Sequence, residues 1–194
     1  MRRAPYQGMN LNPIWAIIGL NFMVFIFTLV NQRAAFNLLG LTPALANQQP
    51  WTLITSLFVH AGFWHILTNM FTFYFFGSNL LGMVGDRKFL LVYFGGGILG
   101  SIMFWWLAPD FSTVVGASGA VFGVGGALAV LVPRSRVFIF PFPVPIPLWA
   151  AVIFGFLIIS FNPGVAWEAH LGGLVFGLVA GYYFRRGQRR RIRW

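Results

Sequence analysis

One serine in this chain has the surroundings of a nucleophile: Ser118, in the run Val115-Gly116-Ala117-Ser118-Gly119-Ala120-Val121-Phe122-Gly123 where an apolar helix begins. A serine hydroxyl attacks a carbonyl only when a base takes its proton and fixed donors receive the charge developing on the carbonyl oxygen. Three histidines could supply that base: His60, His65 and His170. Glycines beside the serine let another helix or a substrate backbone come close, and N–H groups at a helix N-terminus favour an anion there. The same short pattern also occurs in apolar helices where serine bonds its own backbone and glycine only permits packing. What decides between the two is where the histidines stand, and that depends on the elements carrying them.

Composition defines the setting of those elements. The 194 residues are 58% hydrophobic and only 8% charged, with mean hydropathy +0.77, a surface no water-soluble domain tolerates. An integral membrane protein follows, of a length that fits one helical domain over residues 1–194 with a basic tail at 185–194. With no cysteine, disulfides, thiolate metal sites and a cysteine nucleophile are excluded. No metal or other cofactor is expected.

Apolar runs at about Pro13 to Val30, Leu53 to Leu81, Phe89 to Leu107, Ser118 to Val132, Pro147 to Phe161 and Trp167 to Phe184 predict six membrane spans, an all-α polytopic bundle. The segment Asn31 to Pro50 is too long for a simple turn and too apolar for a solvated tail, which assigns it partly to the membrane interface with Trp51 as an anchor. Breaks are expected at Gly82 to Lys88, Ala108 to Gly116 and Asn162 to Ala166. The segment Arg134 to Pro147, with Pro141, Pro143, Pro145 and Pro147, predicts a stiff extended connector without secondary structure.

Charge then orients the six spans. Arg2, Arg3, Arg87, Lys88, Arg134, Arg136 and the arginines from Arg185 to Arg193 fall on one side, and Arg33 alone on the other, so both termini are predicted to be cytoplasmic. The formal net charge of +10 thus reads as topology and attraction to anionic membrane lipid, and no nucleic-acid partner is assigned to the basic tail.

In this orientation the second, fourth and sixth spans run in the same direction, and depth can be counted from their cytoplasmic ends. At about 1.5 Å per residue, Ser118 stands roughly 24 Å above Arg134, His170 roughly 22 Å above Arg185, and Asn69 roughly 20 Å above Gly82, with His65 one turn higher. The short fourth span requires the loop before it to dip into the protein. Phase agrees with depth. His170, Gly173 and Gly177 share one helical face, and Gly119 and Gly123 offer a matching small pair beside Ser118, so close packing would bring His170 to Ser118 as general base. His65 and Asn69, four residues apart, could present an imidazole and an amide as oxyanion donors. Each also has a plain structural use: a buried histidine bonding a carbonyl, or an asparagine joining two helices.

His65-x-x-x-Asn69, Gly116-x-Ser118-Gly119 and Ala169-His170-x-x-Gly173-x-x-x-Gly177, in that order and in those spans, resemble the rhomboid family of intramembrane serine proteases over roughly Trp51 to Gly177. The resemblance implies a six-helix protease with a dyad of Ser118 and His170 and an oxyanion hole from Ser118, His65 and Asn69. It also implies transmembrane protein substrates cut near the outer membrane face, with the fifth span and the loop before the sixth as gate and cap. Phe122 resembles the family aromatic that stacks on the histidine, and reads equally as ordinary core. No carboxylate is placed to orient the base: Asp86 is cytoplasmic, Asp110 lies in an outer loop, and Glu168 points to roughly the opposite side of its helix from His170.

The chain departs from the family pattern at Thr52, where an arginine often follows the tryptophan, and at Leu81, where a glutamate is frequent. Both bear on loop anchoring and not on the chemistry. His60 matches a further family histidine and is assigned a structural hydrogen bond. Two other functions compete. A non-catalytic rhomboid-like protein that binds membrane clients usually lacks the serine or the histidine, both present here. A small transporter would need an acidic residue in the buried polar layer to couple ions. The simplest location is a bacterial inner membrane, and no oligomeric state is implied.

Overall fold

The computed structural model describes residues 12–138 and 144–191. The expected lead Met1 to Leu11, Pro141, Pro143 and the last residues of the basic tail lie outside them. Helix α1 (Pro13–Val30) opens with proline at its first position and Asn12 as cap, whose Oδ1 accepts from the Ile14 N–H at 2.9 Å. Asn31 ends α1, and its side chain accepts from Ala34 N–H to start α2 (Gln32–Leu39). The segment from Asn31 to Pro50 is thus partly helical, with a further 3-10 turn at Pro43–Leu45.

The second apolar run departs from its expected bounds. Helix α3 (Thr52–Thr55) and a 3-10 turn at Ser56–Phe58 come first, and helix α4 (Phe63–Val84) begins only after an extended Gly62. Hydropathy is continuous across this stretch, but the backbone direction is not, because Gly62 leaves the helical region. At its other end α4 passes through Gly82, and the expected break Gly82 to Lys88 shrinks to Gly85. Its φ of 77° reverses the chain directly into α5 (Asp86–Leu107). Asp86, Arg87 and Lys88 therefore form the first turn of α5.

Helix α6 (Ser118–Leu131) is the centre of the molecule. It is buried on every side, among α4, α5, α7 (Leu148–Ser160) and α8 (Trp167–Arg191). At 14 residues it measures about 21 Å. Helices α1 and α5 are each long and apolar enough to cross a bilayer, while α6 and α7 are apolar but shorter. Helix α8 runs beyond Phe184 through the arginines to Arg191, since straight-chain basic residues favour the helix as much as they end an apolar run.

The connector from Arg134 to Pro147 is not free of secondary structure. Strands β1 (Arg136–Val137) and β2 (Ile146–Pro147) pair antiparallel, and the Leu148 N–H donates to Ser135 O at 2.7 Å. Proline limits a ladder only where its missing N–H is needed, and here it closes the end of a two-residue pair.

Small residues set the helix crossings. A Cβ on Gly173 would run into the Gly119 carbonyl oxygen, and one on Gly177 into that of Gly123, so α8 lies backbone to backbone on α6. Helix α5 meets α6 in the same way, where a Cβ on Gly96 would sit 3.1 Å from Gly123 Cα.

Candidate active site

The start of α6 is fixed by the loop preceding it. Leu41 and Val114 exchange backbone hydrogen bonds, Thr42 and Thr113 hydroxyls meet at 2.8 Å, and Gly116 N–H donates to the carbonyl of buried Ser56 at 2.9 Å. The loop dips inward, as the short helix demanded. Gly116 has φ 127°, a conformation that side-chain-bearing residues rarely adopt, and it turns the chain so that Ser118 becomes the first residue of α6. Ala117 provides no side-chain cap. The Ser118 N–H, at the first helical position, has no partner within the helix.

His170 stands in the first turn of α8, and the glycine crossing carries it onto Ser118. Its Nε2 lies 2.7 Å from Ser118 Oγ, across 52 residues of sequence. The imidazole is 3% exposed, whereas Ser118 is half-buried and open to a reactant. The Phe122 ring packs on the imidazole at 4.7 Å between centroids, and Phe156 meets Phe122 edge-on at 5.8 Å.

His65 faces the same point from α4. Its Nδ1 accepts the Ala61 N–H at 3.3 Å, so in the neutral ring the proton sits on Nε2. That nitrogen points at the Gly116 backbone, where a Cβ would lie 2.7 Å from it. Asn69 lies one turn further along. One of its amide N–H groups donates to the His65 carbonyl at 2.9 Å, leaving the second. Buried His60 packs edge-on to His65 at 4.9 Å, and its Nδ1 lies 3.4 Å from Phe58 O.

Ser118, His170, His65, Gly116 and Phe122 thus converge, with Asn69 behind His65 and Gly119, Gly173 and Gly177 forming the crossing beneath. Glu168 is buried, and among the described residues no carboxylate hydrogen-bonds the imidazole. Sequence reasoning missed Ser160, whose Oγ lies 2.9 Å from His170 Nδ1. Its one signal is that it is the only hydroxyl residue in α7.

Trp51 is half exposed, and its indole N–H donates to Leu38 O at 2.8 Å, joining α2 to the turn before α3. The Thr52 hydroxyl donates to Gln49 O at 2.6 Å, and the residue is buried. Among the described residues no group of three or more His, Asp and Glu side chains is placed to hold a metal ion.

Comparison with known proteins gives the same direction. The family model described as Rhomboid domain matches residues 47–187. The chain is 34% identical to the rhomboid YdcA of Bacillus subtilis over 152 residues, covering 78% of this chain and 76% of that protein. It is 30% identical over 191 residues to the mitochondrial Rhomboid protein 1 of Saccharomyces cerevisiae, covering 90% of this chain and 54% of that one. Similarity to the rhomboid protease GluP of Bacillus subtilis is 32% over 139 residues, 70% of this chain but 26% of the relative. The chain therefore spans about half of the yeast relative and a quarter of GluP.

Proposed function

The chain belongs to the rhomboid family of integral membrane proteins, and on that premise we propose that it is a serine endopeptidase that cuts transmembrane protein substrates near the outer membrane face by a Ser118 and His170 dyad. The observation that carries this reading is the 2.7 Å approach of Ser118 Oγ to His170 Nε2. A nucleophile and base at hydrogen-bond distance, beside unpaired donors, is what acyl transfer needs.

Helices α1, α4, α5, α6, α7 and α8 are the six spans of a single domain, with both termini cytoplasmic, most simply in a bacterial inner membrane. Charge supports this orientation. Arg185 bonds Val130 O near the end of α6 remote from Ser118, and Lys88 Nζ lies 5.1 Å from the Phe184 ring centroid at that same end. Arg33 lies on α2, and Leu41, two residues past the end of that helix, pairs with Val114 in the loop that leads to Ser118. With α6 shorter than the roughly 30 Å hydrocarbon core, Ser118 lies below the outer surface, at the inner end of the loop that dips in before it.

In the resting site His170 Nε2 accepts the Ser118 O–H. Ser118 Oγ attacks the scissile carbonyl carbon as its proton passes to Nε2. The oxyanion meets the Ser118 N–H, the His65 Nε2–H and the remaining Asn69 amide N–H. Collapse breaks the C–N bond, the leaving amine takes the proton from His170, and an ester remains on Ser118. Water then yields a proton to His170 and attacks that ester. His170 returns the proton to Ser118 Oγ as the new carboxyl terminus departs.

The test is covalent labelling of the purified protein by a serine-directed fluorophosphonate, read by intact mass. A single adduct is expected, absent in Ser118→Ala. An adduct that persists in Ser118→Ala contradicts the assignment.

A further inference from the structure

His170 is held at both ring nitrogens. On one side stands Ser118 Oγ, 2.7 Å from Nε2, and on the other Ser160 Oγ, 2.9 Å from Nδ1. Ser160 is the last residue of α7 and is 1% exposed, so this is an interior bond between two helices and not a surface accident. A compact turn returns the chain to make it. The Asn162 side-chain amide donates to Ile158 O, the Val165 N–H donates to Asn162 O at 3.2 Å, and Gly164 takes φ 79°. The chain between Ser160 and His170, ten residues apart, is thereby folded back on itself.

We propose that Ser160 is a positioning residue for the catalytic base, selecting the imidazole tautomer that can take the Ser118 proton; the proposal rests on the protease reading above. A neutral imidazole carries one N–H and one lone pair. For Nε2 to accept from Ser118, the proton must reside on Nδ1, where it donates to Ser160 Oγ. In serine hydrolases with a third member a carboxylate holds Nδ1–H in this manner. Here a neutral hydroxyl occupies that place, which avoids burying a carboxylate charge in an apolar site. Phe122 and Ser160 divide the work of orientation: the aromatic face limits the tilt of the ring, and the hydroxyl fixes its rotation and its proton. When His170 becomes the imidazolium after attack, the same Nδ1–H still has its acceptor.

A merely structural Ser160, tying α7 to α8, would act on stability and leave turnover per folded molecule unchanged. The experiment compares wild type, Ser160→Ala, Ser160→Thr, Ser160→Val and Ser118→Ala in liposomes with a cleavable transmembrane substrate, measuring kcat, KM and Tm. Threonine and valine differ by a hydroxyl against a methyl, so they match in packing even if alanine fails to fold. Loss of a buried partner predicts a fall in kcat of about ten- to hundredfold in Ser160→Val and Ser160→Ala, with KM little changed and most of kcat kept in Ser160→Thr. Histidine 15N resonances provide a readout apart from turnover: the Nδ1–H form of His170 is expected in wild type and Ser160→Thr and depleted in Ser160→Val. Equal kcat in Ser160→Thr and Ser160→Val, with Ser118-dependent cleavage intact, overturns the role of Ser160 alone. Cleavage that survives in Ser118→Ala overturns the protease reading and this inference with it.

Discussion

Gly173 lies so close to Gly119 that a Cβ on the former would occupy the space of the latter's carbonyl oxygen. The approach of α8 to α6 has no room for a side chain, and this same crossing places His170 on Ser118. Gly173→Ala must push the helices apart, at a cost of about 1–3 kcal/mol typical of overpacking. A lowered Tm together with lost probe labelling is expected. Gly155→Ala is the control, since a Cβ there meets nothing within 4 Å. Equal labelling of both variants would separate the crossing from the site.

Gly116 offers a more local perturbation. Its φ of 127° and the 2.7 Å from a would-be Cβ to His65 Nε2 make Gly116→Ala both strained and obstructive. The strain is about 1–3 kcal/mol. Displacement of His65 should lower kcat beyond what the loss of folded protein accounts for, as read by activity normalised to the folded fraction. Undiminished normalised activity would remove His65 from the site.

How far all this was legible in the sequence follows from how each signal is encoded. The convergence of Ser118, His170 and His65 is legible in the sequence because depth and helical phase are arithmetic on residue number, and the close crossing at Gly173 and Gly177 because small residues at that spacing have one common use in membranes. Ser160 was not found, because a lone hydroxyl in an apolar helix has no period, and its contact with His170 depends on the turn built by Asn162 and Gly164. The late start of α4 was hidden for a related reason: hydropathy runs unbroken through Gly62 while the backbone does not. In the connector before α7, prolines suppress strand signals that a two-residue pair does not need.

Asn69 distinguishes chemistry from packing. One amide N–H already bonds the His65 carbonyl. If the other meets the oxyanion, Asn69→Ala should lower kcat by about 10² to 10³ while KM moves little. If the residue serves packing alone, its loss should appear in Tm with kcat intact. Steady-state kinetics in lipid and a melting curve on the same sample decide between them.

Orientation can be tested in whole cells because the chain has no cysteine. Asn47 and Ser135 are both exposed and lie at opposite ends of the bundle. An impermeant thiol reagent is expected to label Asn47→Cys in intact cells and Ser135→Cys only after lysis. Labelling of both from outside would overturn the six-span arrangement.

The central claim, that Ser118 and His170 act together on a peptide bond, is tested most directly by cleavage of a transmembrane substrate in liposomes, with products identified by mass. Wild type is expected to yield two fragments cut near the outer face, and Ser118→Ala and His170→Ala each to fall to background while keeping the wild-type Tm. Cleavage retained by either variant would contradict the dyad.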